Sequence, residues 1–318
     1  MSNTDDPEIP RTGEFELIQW IRDRTTPGAS TVVGIGDDAA VLRPTPGQDL
    51  VVTTDLLMDG RHFHLDPHSP EAVGYKAMAV NLSDIAAMAA RPIAAVVAVA
   101  LPRDWAADVA RGLHAGLSEA AGIFGVAIVG GDTNAWDGPL VVSVTLIGET
   151  VGRGPVRRSG AKPDDVIYVT GPLGGSILGR HLRPVPRVGE AICLNAAVPI
   201  HALVDISDGL AADLTHVLDE SGGLGALLQE PAIAIHPDAY KLAEMDGLTP
   251  IWHALNDGED FELCVVLGPD DAARIDRSPL ADVPLVRIGQ VVHMPGLWVM
   301  DGQGKTRIIE PAGFDHMK

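Results

Sequence analysis

Residues 75–88 read Y-K-A-M-A-V-N-L-S-D-I-A-A-M, a nearly continuous series of small and apolar residues with one acidic side chain. The wider stretch 71–90 is rich in Ala and Met and has no Gly after Gly74, which predicts a long helix. Asp84 then has almost wholly apolar neighbours, and burying an unpaired carboxylate costs several kcal/mol. Asn81 lies three positions earlier, on the same helical face. We predict that Asp84 is partly buried and can share a cation with Asn81.

Other aspartates recur where an apolar run meets a turn or a helix start. The motifs are G-I-G-D-D-A-A (Asp37, Asp38), V-V-T-T-D (Asp55), I-V-G-G-D-T (Asp132) and V-D-I-S-D-G (Asp205, Asp208). Gly and Asp also form ordinary turns, and an Asp before a helix can be its N-cap, a serious alternative for Asp208. Carboxylates collected at strand ends are nevertheless what Mg²⁺ and phosphate chemistry require. The repeated pattern favours a Mg²⁺-dependent phosphate enzyme.

Composition narrows the classes of partner. The formal net charge of −20 argues against binding nucleic acid through a basic surface. The two cysteines, Cys193 and Cys264, are too few and too far apart to predict a disulfide framework or a zinc site. The longest plain apolar run, residues 93–101, is far short of the roughly 20 residues that span a membrane, and the N-terminus is polar and acidic. We expect a soluble, cytoplasmic protein without a membrane segment.

Strands that alternate with helices predict an α/β or α+β protein, and the length of 318 residues suggests two domains. We expect a leader at residues 1–12, an N-terminal domain at 13–155 and a C-terminal domain at 156–318, divided at a Gly/Arg/Pro-rich segment. The predicted strands are 39–42, 50–54, 93–101, 127–129, 140–149, 166–170, 203–206, 261–267 and 285–292, and the main predicted helices are 14–24, 71–90 and 103–124.

The remaining motifs are weaker. G-P-L-G-G-S at residues 171–176 lacks the G-K-[ST] ending of a P-loop, so a plain strand-to-helix turn is the preferred interpretation. His62 and His64 flank Phe63, and no motif marks a Ser, Cys or His as a nucleophile. The acidic segment N-D-G-E-D-F-E-L-C, residues 256–264, is either a solvated loop or a loop that faces a cleft. Covalent catalysis is disfavoured.

Taken in order, these segments make the chain similar to the thiamine-monophosphate kinase family of the aminoimidazole-ribonucleotide-synthetase-like superfamily. The motifs that carry the resemblance include the Tyr75–Met88 string, G-G-D-T, R-S-G-A-K-P, H-L-R-P-V-P-R, D-I-S-D-G-L, G-E-D-F-E-L-C and the terminal G-F-D-H. They span Gly34 to His316. The resemblance implies a fold of two α/β domains, with N-terminal domains paired in a homodimer. It also implies ATP- and Mg²⁺-dependent phosphorylation of thiamine monophosphate to thiamine diphosphate by direct in-line transfer.

The resemblance also assigns roles to individual residues. The residues that match the family's Mg²⁺ sites are Asp38, Thr53, Thr54, Asp55, Asp84, Asp132 and Asp205. Those that match positions around ATP are Gly131, Asp132, Arg158 and Ser207, and those near the thiamine substrate are His62, Asp208, Glu259 and Phe314. Asp132, Asp208 and Arg158 are expected to act in catalysis. The chain departs from the pattern at Ala89 and Asp257, where Gly is expected, and is shorter between Gly179 and His181.

Two alternatives stay open. One is another ATP-dependent enzyme of the same superfamily, such as aminoimidazole ribonucleotide synthetase or selenophosphate synthetase. The latter uses a Cys or selenocysteine near the N-terminus, whereas the first cysteine here is Cys193. The other alternative is a non-catalytic acidic protein that binds divalent cations. It predicts solvated carboxylates rather than an aspartate within an apolar helix.

Overall fold

All but the last residue of the apolar segment 75–88 lies in a helix, α2 (Pro70–Ala87), in the computed structural model, which describes residues 14–103 and 106–312. Ser69 begins the helix: its hydroxyl accepts the N–H of Ala72, and Pro70 occupies the first turn. At the other end Ala89 has a φ of 49°, and the N–H of Ala90 reaches back to the Ile85 carbonyl. Such a left-handed helix end favours Gly. The backbone at this position therefore suits the Gly that the resemblance predicts, and Ala89 adopts the same left-handed conformation.

Two units make up the described chain. The first comprises the described residues up to Gly47 with Val52–Asn81 and Pro92–Ile147, and the second comprises Gln48–Val51, Leu82–Arg91 and the described residues from Gly148 onward. The predicted leader, residues 1–12, lies outside the described residues. The domain boundary near residue 155 stays a prediction.

A four-stranded sheet forms the centre of the chain up to residue 149. The elements there are α1 (Glu14–Arg24), β1 (Thr31–Val33), β2 (Val41–Leu42), β3 (Leu50–Met58), α2, β4 (Arg91–Pro102), α3 (Ala106–Ile123), β5 (Ala127–Trp136) and β6 (Val141–Glu149). The strand order is β3-β6-β4-β5, and β4 and β5 run parallel. Strand β3 alternates along its length, so that Val52, Leu56 and Met58 are exposed on one face. That face is largely apolar and is not covered by any of the residues that the structure describes.

Strand β5 is longer than predicted, and G-G-D-T lies inside it rather than after it. The predicted strand ended at Val129, whereas β5 continues to Trp136 because it pairs with β4 over its whole length. Gly131 makes this possible, since a side chain there would collide with the Val97 carbonyl oxygen of β4. The predicted strand at 39–42 is likewise only Val41–Leu42, and the one at 50–54 extends to Met58.

Helices α2 and α3 pack backbone to backbone through two glycines, and this close approach gives a first prediction. A Cβ on Gly116 would lie 2.6 Å from the Tyr75 N and closer still to the Glu71 carbonyl oxygen. We expect Gly116→Ala to destabilise the protein by about 1–3 kcal/mol, the usual cost of overpacking. Gly122 on the same helix has nothing within 4 Å of such a Cβ, so Gly122→Ala is the matched control and should be neutral or stabilising. Urea unfolding of both variants measures the difference. Equal stability would contradict the backbone contact.

A seven-stranded mixed sheet dominates the second unit. Its order is β13-β12-β9-β11-β7-β10-β8, and within this sheet β12 and β9 pair in parallel while the other neighbouring strands pair antiparallel. The elements are β7 (Val166–Val169), α4 (Val188–Ala197), β8 (Ile200–Asp205), α5 (Leu210–Glu220), β9 (Gly225–Gln229), α6 (Pro237–Asp246), α7 (Pro250–Asn256), β10 (Leu263–Leu267), α8 (Pro269–Arg277), β11 (Val286–Val292), β12 (Gly296–Met300) and β13 (Thr306–Ile309). The apolar core lies between this sheet and α5 and α7.

The G-P-L-G-G-S segment is a turn, as predicted. The predicted strand-to-helix connection is not formed, because no α-helix follows the turn directly. Short 3-10 helices come next, at Ser176–Leu178 and Arg180–Leu182, and α4 begins only at Val188. The N–H of Gly174 donates to Asp260 at 2.8 Å and that of Gly175 donates to Asp257 at 2.7 Å. Carboxylates therefore already hold the amides that a phosphate would need. The departure at Asp257 supplies one of these contacts.

Candidate active site

In the first unit, the G-I-G-D-D-A-A turn is largely exposed, and its two aspartates make different contacts. Asp37 accepts the N–H of Asp38 at 2.9 Å, which is a turn contact, and leaves the carboxylate of Asp38 as the better candidate ligand. Gly36 has a φ of 121°, and a Cβ there would lie within 3.0 Å of the Arg22 guanidinium. Helix α1 thus brings a positive charge against the turn.

Strand β3 places the T-T-D side chains on opposite faces. Thr53 and Asp55 are half-buried on one face, while Thr54 is exposed on the other with Val52 and Leu56. The Thr54 hydroxyl bonds to the Val144 carbonyl oxygen and to the Thr145 hydroxyl, each at 3.1 Å. Thr53 and Asp55 can therefore serve one ligand together, whereas Thr54 is already engaged in the sheet.

Asp132 is exposed on β5, and its carboxylate accepts a hydrogen bond from the Asn134 amide at 3.3 Å. The strand also borders a pocket of about 500 Å³ in the first unit, which Gly131 and Asp38 help to line. Gly130, beside it, has open space where a side chain would be. Two of the predicted residues, Gly131 and Asp38, therefore meet at the same pocket.

In the second unit, the end of α2 meets the end of β8. Asp205, the last residue of β8, is buried, and its carboxylate accepts the Ser83 hydroxyl at 2.6 Å. Burial, and then the neighbouring charge of Asp84, raise the pKa of Asp205 to about 7. Arg158 lies close enough to act in the opposite direction. Asp84 itself is half-buried, as predicted from its apolar surroundings. The structure thus gathers Asp84, Asp205 and Arg158, which are far apart in sequence.

The D-I-S-D-G turn after β8 packs against the acidic loop that precedes β10. The N–H of Glu259 donates to the Ser207 carbonyl at 2.7 Å, and that of Phe261 donates to the Ile206 carbonyl at 2.8 Å. Glu259 and Phe261 both have positive φ angles, 61° and 52°. Three predicted residues, Ser207, Asp208 and Glu259, therefore come together, and the acidic loop is not a solvated one.

Asp208 is not the N-cap of α5, so the capping alternative is wrong. The N-cap is Gly209, which makes no side-chain capping bond. Asp213, on the first turn of α5, reaches back instead and accepts the main-chain N–H of Asp208 at 3.0 Å. Burial first, and then the charges of Asp205 and Asp208, raise the pKa of Asp213 to about 8. Asp208 itself is half-buried.

The other two residues predicted to contact the substrate are His62, which the structure describes, and Phe314, which it does not. His62 lies in a turn, where its Nδ1 accepts the N–H of Met58 at 3.0 Å. The Lys76 ammonium donates to the main-chain carbonyl of His62 at 2.6 Å and anchors the turn. Phe314 lies outside the described residues.

The carboxylates of these clusters suit a Mg²⁺ ion that is bound together with a phosphate substrate. They do not form a complete metal site on their own. Within residues 14–103 and 106–312, no group of three or more His, Cys, Asp and Glu side chains is placed to hold a metal ion. Mg²⁺, however, usually takes one or two carboxylates and completes its shell with water and phosphate oxygens. The Asp84–Asp205 pair has that composition, and burial together with the charge of Asp84 raises the pKa of Asp205. Asn81 Oδ1 on the same helix is buried without a hydrogen-bond partner in the described chain.

Sequence reasoning did not identify several residues of these clusters. Ser83 donates its hydroxyl to the Asp205 carboxylate across 122 positions, and Asp213 accepts the main-chain N–H of Asp208, five positions earlier. Ser83 had a signal, since it precedes Asp84 in the apolar helix and is wholly buried. For Asp213, the one signal in the sequence is its position in D-G-L-A-A-D-L, five residues after Asp208 and about one helical turn into α5.

Comparison with known proteins identifies the family. Residues 36–150 match the family model for the AIR synthase related protein, N-terminal domain. The thiamine-monophosphate kinase of Rhodopirellula baltica is 43% identical over 310 residues, which cover 95% of this chain and 97% of the relative. The chain belongs to the thiamine-monophosphate kinase family. The predicted α/β fold of the aminoimidazole-ribonucleotide-synthetase-like type is thereby confirmed.

Two solved structures from the family share the fold over most of the chain. The thiamine-monophosphate kinase from Stenotrophomonas maltophilia has a TM-score of 0.75 and 37% identity, covering 90% of this chain and 96% of its own. AaThiL complexed with AMPPCP and TMP has a TM-score of 0.74 and 30% identity, covering 98% of this chain and 100% of its own. Family membership weighs against the superfamily rivals and the non-catalytic cation-binding protein.

Proposed function

We propose that the chain transfers the γ-phosphoryl group of ATP to thiamine monophosphate, the last step in forming thiamine diphosphate. The observation that carries the proposal is the match, over 95% of the chain, to a thiamine-monophosphate kinase. AaThiL, a structural relative over nearly the full length, was solved with AMPPCP and TMP. In the reaction, an oxygen of the thiamine phosphate forms a bond to the γ-phosphorus, the bond to the β-phosphate oxygen breaks, and ADP leaves.

Transfer between two polyanions requires charge neutralisation and in-line positioning rather than a covalent intermediate. Bound Mg²⁺ would supply positive charge to the phosphate oxygens. We propose that Asp38, Thr53, Asp55, Asp84, Asp132 and Asp205 provide its ligands, with Thr54 a weaker candidate because its hydroxyl is engaged in the sheet. Arg158 adds a permanent cation beside Asp205.

The chain's own residues orient the substrates. We propose that Gly131 and Asp132 on β5 bind ATP, and that Ser207 does so as well. The Ser207–Asp208 turn is held from two sides, by the Asp213 carboxyl and by the Glu259 N–H. We propose that Asp208 and Glu259 balance the thiazolium charge and that His62 and Phe314 also contact thiamine monophosphate. A turn fixed in this way keeps its carboxylates in place as the substrate binds.

We also propose a homodimer formed through the first unit. The support is the exposed apolar face of β3, where Val52 and Leu56 are 61% and 53% exposed. Contiguous apolar surface of this kind marks a protein interface. Among residues 14–103 and 106–312, no helix is long and apolar enough to cross a bilayer. Because the proposed reaction consumes ATP, we propose that the enzyme works in the cytoplasm.

The direct test uses purified protein with ATP, Mg²⁺ and thiamine monophosphate. We expect thiamine diphosphate, measured as its fluorescent oxidation product, to form in proportion to ADP. Free thiamine in place of the monophosphate is the control and should yield no product, because the acceptor is a phosphate oxygen. ADP formation without thiamine diphosphate would contradict the proposal and would favour another ATP-dependent enzyme of the superfamily.

A further inference from the structure

The G-P-L-G-G-S turn has no part in the proposed metal or nucleotide chemistry, yet it is packed closely into the second unit. A Cβ on Gly174 would lie 2.7 Å from the Ala254 N of α7, and one on Gly175 would collide with the Asp238 carbonyl carbon of α6. Only glycine fits so closely against two helix backbones. The helices therefore hold the turn in place, and its polar groups can anchor another segment.

The acidic loop that precedes β10 is bonded to this turn on both sides of Glu259. Ahead of Glu259, the N–H of Gly175 donates to the Asp257 carboxylate at 2.7 Å. The Ser176 hydroxyl donates to the main-chain carbonyl of Gly258 at 2.6 Å. The two residues before Glu259 are thus fixed by the turn.

Asp260, directly after Glu259, is held by an ion pair as well. Its side chain is fully buried, and its two oxygens accept the N–H of Gly174 at 2.8 Å and the Arg180 guanidinium at 2.9 Å. The same Arg180 nitrogen donates to the Gly174 carbonyl at 3.0 Å. Burial raises the pKa of Asp260 to about 7, and the charge of Arg180 acts against this shift. Arg180 therefore favours the ionised carboxylate, in which both oxygens accept a hydrogen bond.

These bonds are made where the loop has a strained backbone. Glu259 and Phe261 lie on either side of Asp260, and their φ angles are 61° and 52°. Residues other than glycine are uncommon in this conformation and persist in it where the surrounding structure fixes them. Glu259 is only half-buried, whereas Asp260 is buried. Asp260 is thus the anchored residue between two strained ones, and Glu259 is the one that a substrate can reach.

We propose that Arg180 and Asp260 are positioning residues for the acceptor substrate. They hold the acidic loop against the Gly174–Ser176 turn and so keep Glu259 in the conformation that contacts thiamine monophosphate. Arg180 lies where the chain is shorter than the family pattern, so no motif gave it a role. The inference rests on the proposed function in taking thiamine monophosphate as the acceptor and Glu259 as its contact.

The kinetic test separates the acceptor from ATP in the full-length protein. We expect Arg180→Met to raise the KM for thiamine monophosphate about tenfold, with kcat and the KM for ATP changed less than about threefold. The effect on ATP is small because Asp213 still holds the turn that carries Ser207. Arg180→Lys keeps a cation opposite Asp260 and should recover most of the lost affinity. Arg277 is exposed on α8, and Arg277→Met is the matched control with wild-type constants.

Hydrogen exchange in the substrate-free protein follows the loop itself. The N–H groups of Glu259 and Phe261 are bonded to the Ser207 and Ile206 carbonyls, so they exchange slowly while the loop is held. In Arg180→Met they should exchange about tenfold faster, while the amides of β12 keep their wild-type rates. Unchanged exchange of the two loop amides would overturn the proposal. Faster exchange with an unchanged KM for thiamine monophosphate would overturn it too.

If Arg180→Met does not fold, Asp260→Asn decides, because asparagine has the same shape without the charge that pairs with Arg180. A wild-type KM for thiamine monophosphate in this variant overturns the proposal, as do equal rises in both KM values. A selective rise of about tenfold supports it. Absence of thiamine diphosphate with the wild-type protein would defeat the proposed function instead. The exchange rates need no turnover and would still decide whether Arg180 and Asp260 hold the loop.

Discussion

Asp132→Asn is expected to lower kcat for thiamine diphosphate formation by about 10²–10³-fold at saturating Mg²⁺ and substrates. The exchange removes one negative charge from the group proposed to hold both the metal and ATP, and electrostatic groups at a transferring phosphoryl have effects of this size. Asp132 is exposed and its carboxylate accepts a hydrogen bond from the Asn134 amide, so an isosteric asparagine should leave the fold intact. Steady-state kinetics at several Mg²⁺ concentrations measures the loss.

Asp137 provides the control for this substitution. It follows β5, five residues after Asp132, and forms an exposed ion pair with Arg103 at 2.8 Å. Exposed pairs of this kind contribute about 0–1 kcal/mol, so Asp137→Asn should keep full activity and nearly full stability. Full activity in Asp132→Asn would refute its assignment to the metal, even if the kinase reaction itself were observed.

Asp205→Asn is expected to stabilise the metal-free protein at pH 8 while it abolishes activity. The folded-state pKa of Asp205 is raised from 3.8 to about 7, so its stabilising contribution is complete below pH 4 and is lost as the pH rises through 7. Above pH 7 the buried charge beside Asp84 costs on the order of 2–4 kcal/mol. Asparagine removes that charge and can still accept the Ser83 hydroxyl. Thermal unfolding with EDTA between pH 5 and 8.5 should show a flatter profile for the variant.

The same unfolding measurements are repeated with Mg²⁺ in place of EDTA. In the wild type it should raise the unfolding temperature at pH 8 by more than at pH 5, because a bound cation offsets the charge on Asp205. The shift should largely disappear in Asp205→Asn. Asp219 on α5 is exposed, and Asp219→Asn should behave like the wild type in both respects. An Asp205→Asn protein that keeps both the pH slope and the Mg²⁺ shift would show that Asp205 is not a metal ligand.

Local pattern predicted most elements of the fold. Apolar composition located α2 and the buried character of Asp84, and the Ser69–Pro70 pair that caps the helix is readable from the sequence. Errors occurred where a tertiary contact overrides the local pattern. Gly130 and Gly131 suggested the end of a strand, but β5 continues because Gly131 lets the strand approach Val97 closely. Likewise, G-P-L-G-G-S suggested a following helix, whereas Asp257 and Asp260 hold its amides in a turn.

By itself the sequence determined the family, and it predicted the oxygen-rich chemistry and the residues proposed to carry it, because those depend on residue type and order. Only the tertiary structure decided which of them work together. It joined Ser83 to Asp205 across 122 positions, engaged the Thr54 hydroxyl within the sheet, and placed Gly209 rather than Asp208 at the N-cap of α5. Burial and the charge of neighbouring groups set these differences, and neither is a property of a residue until distant segments of the chain have packed together.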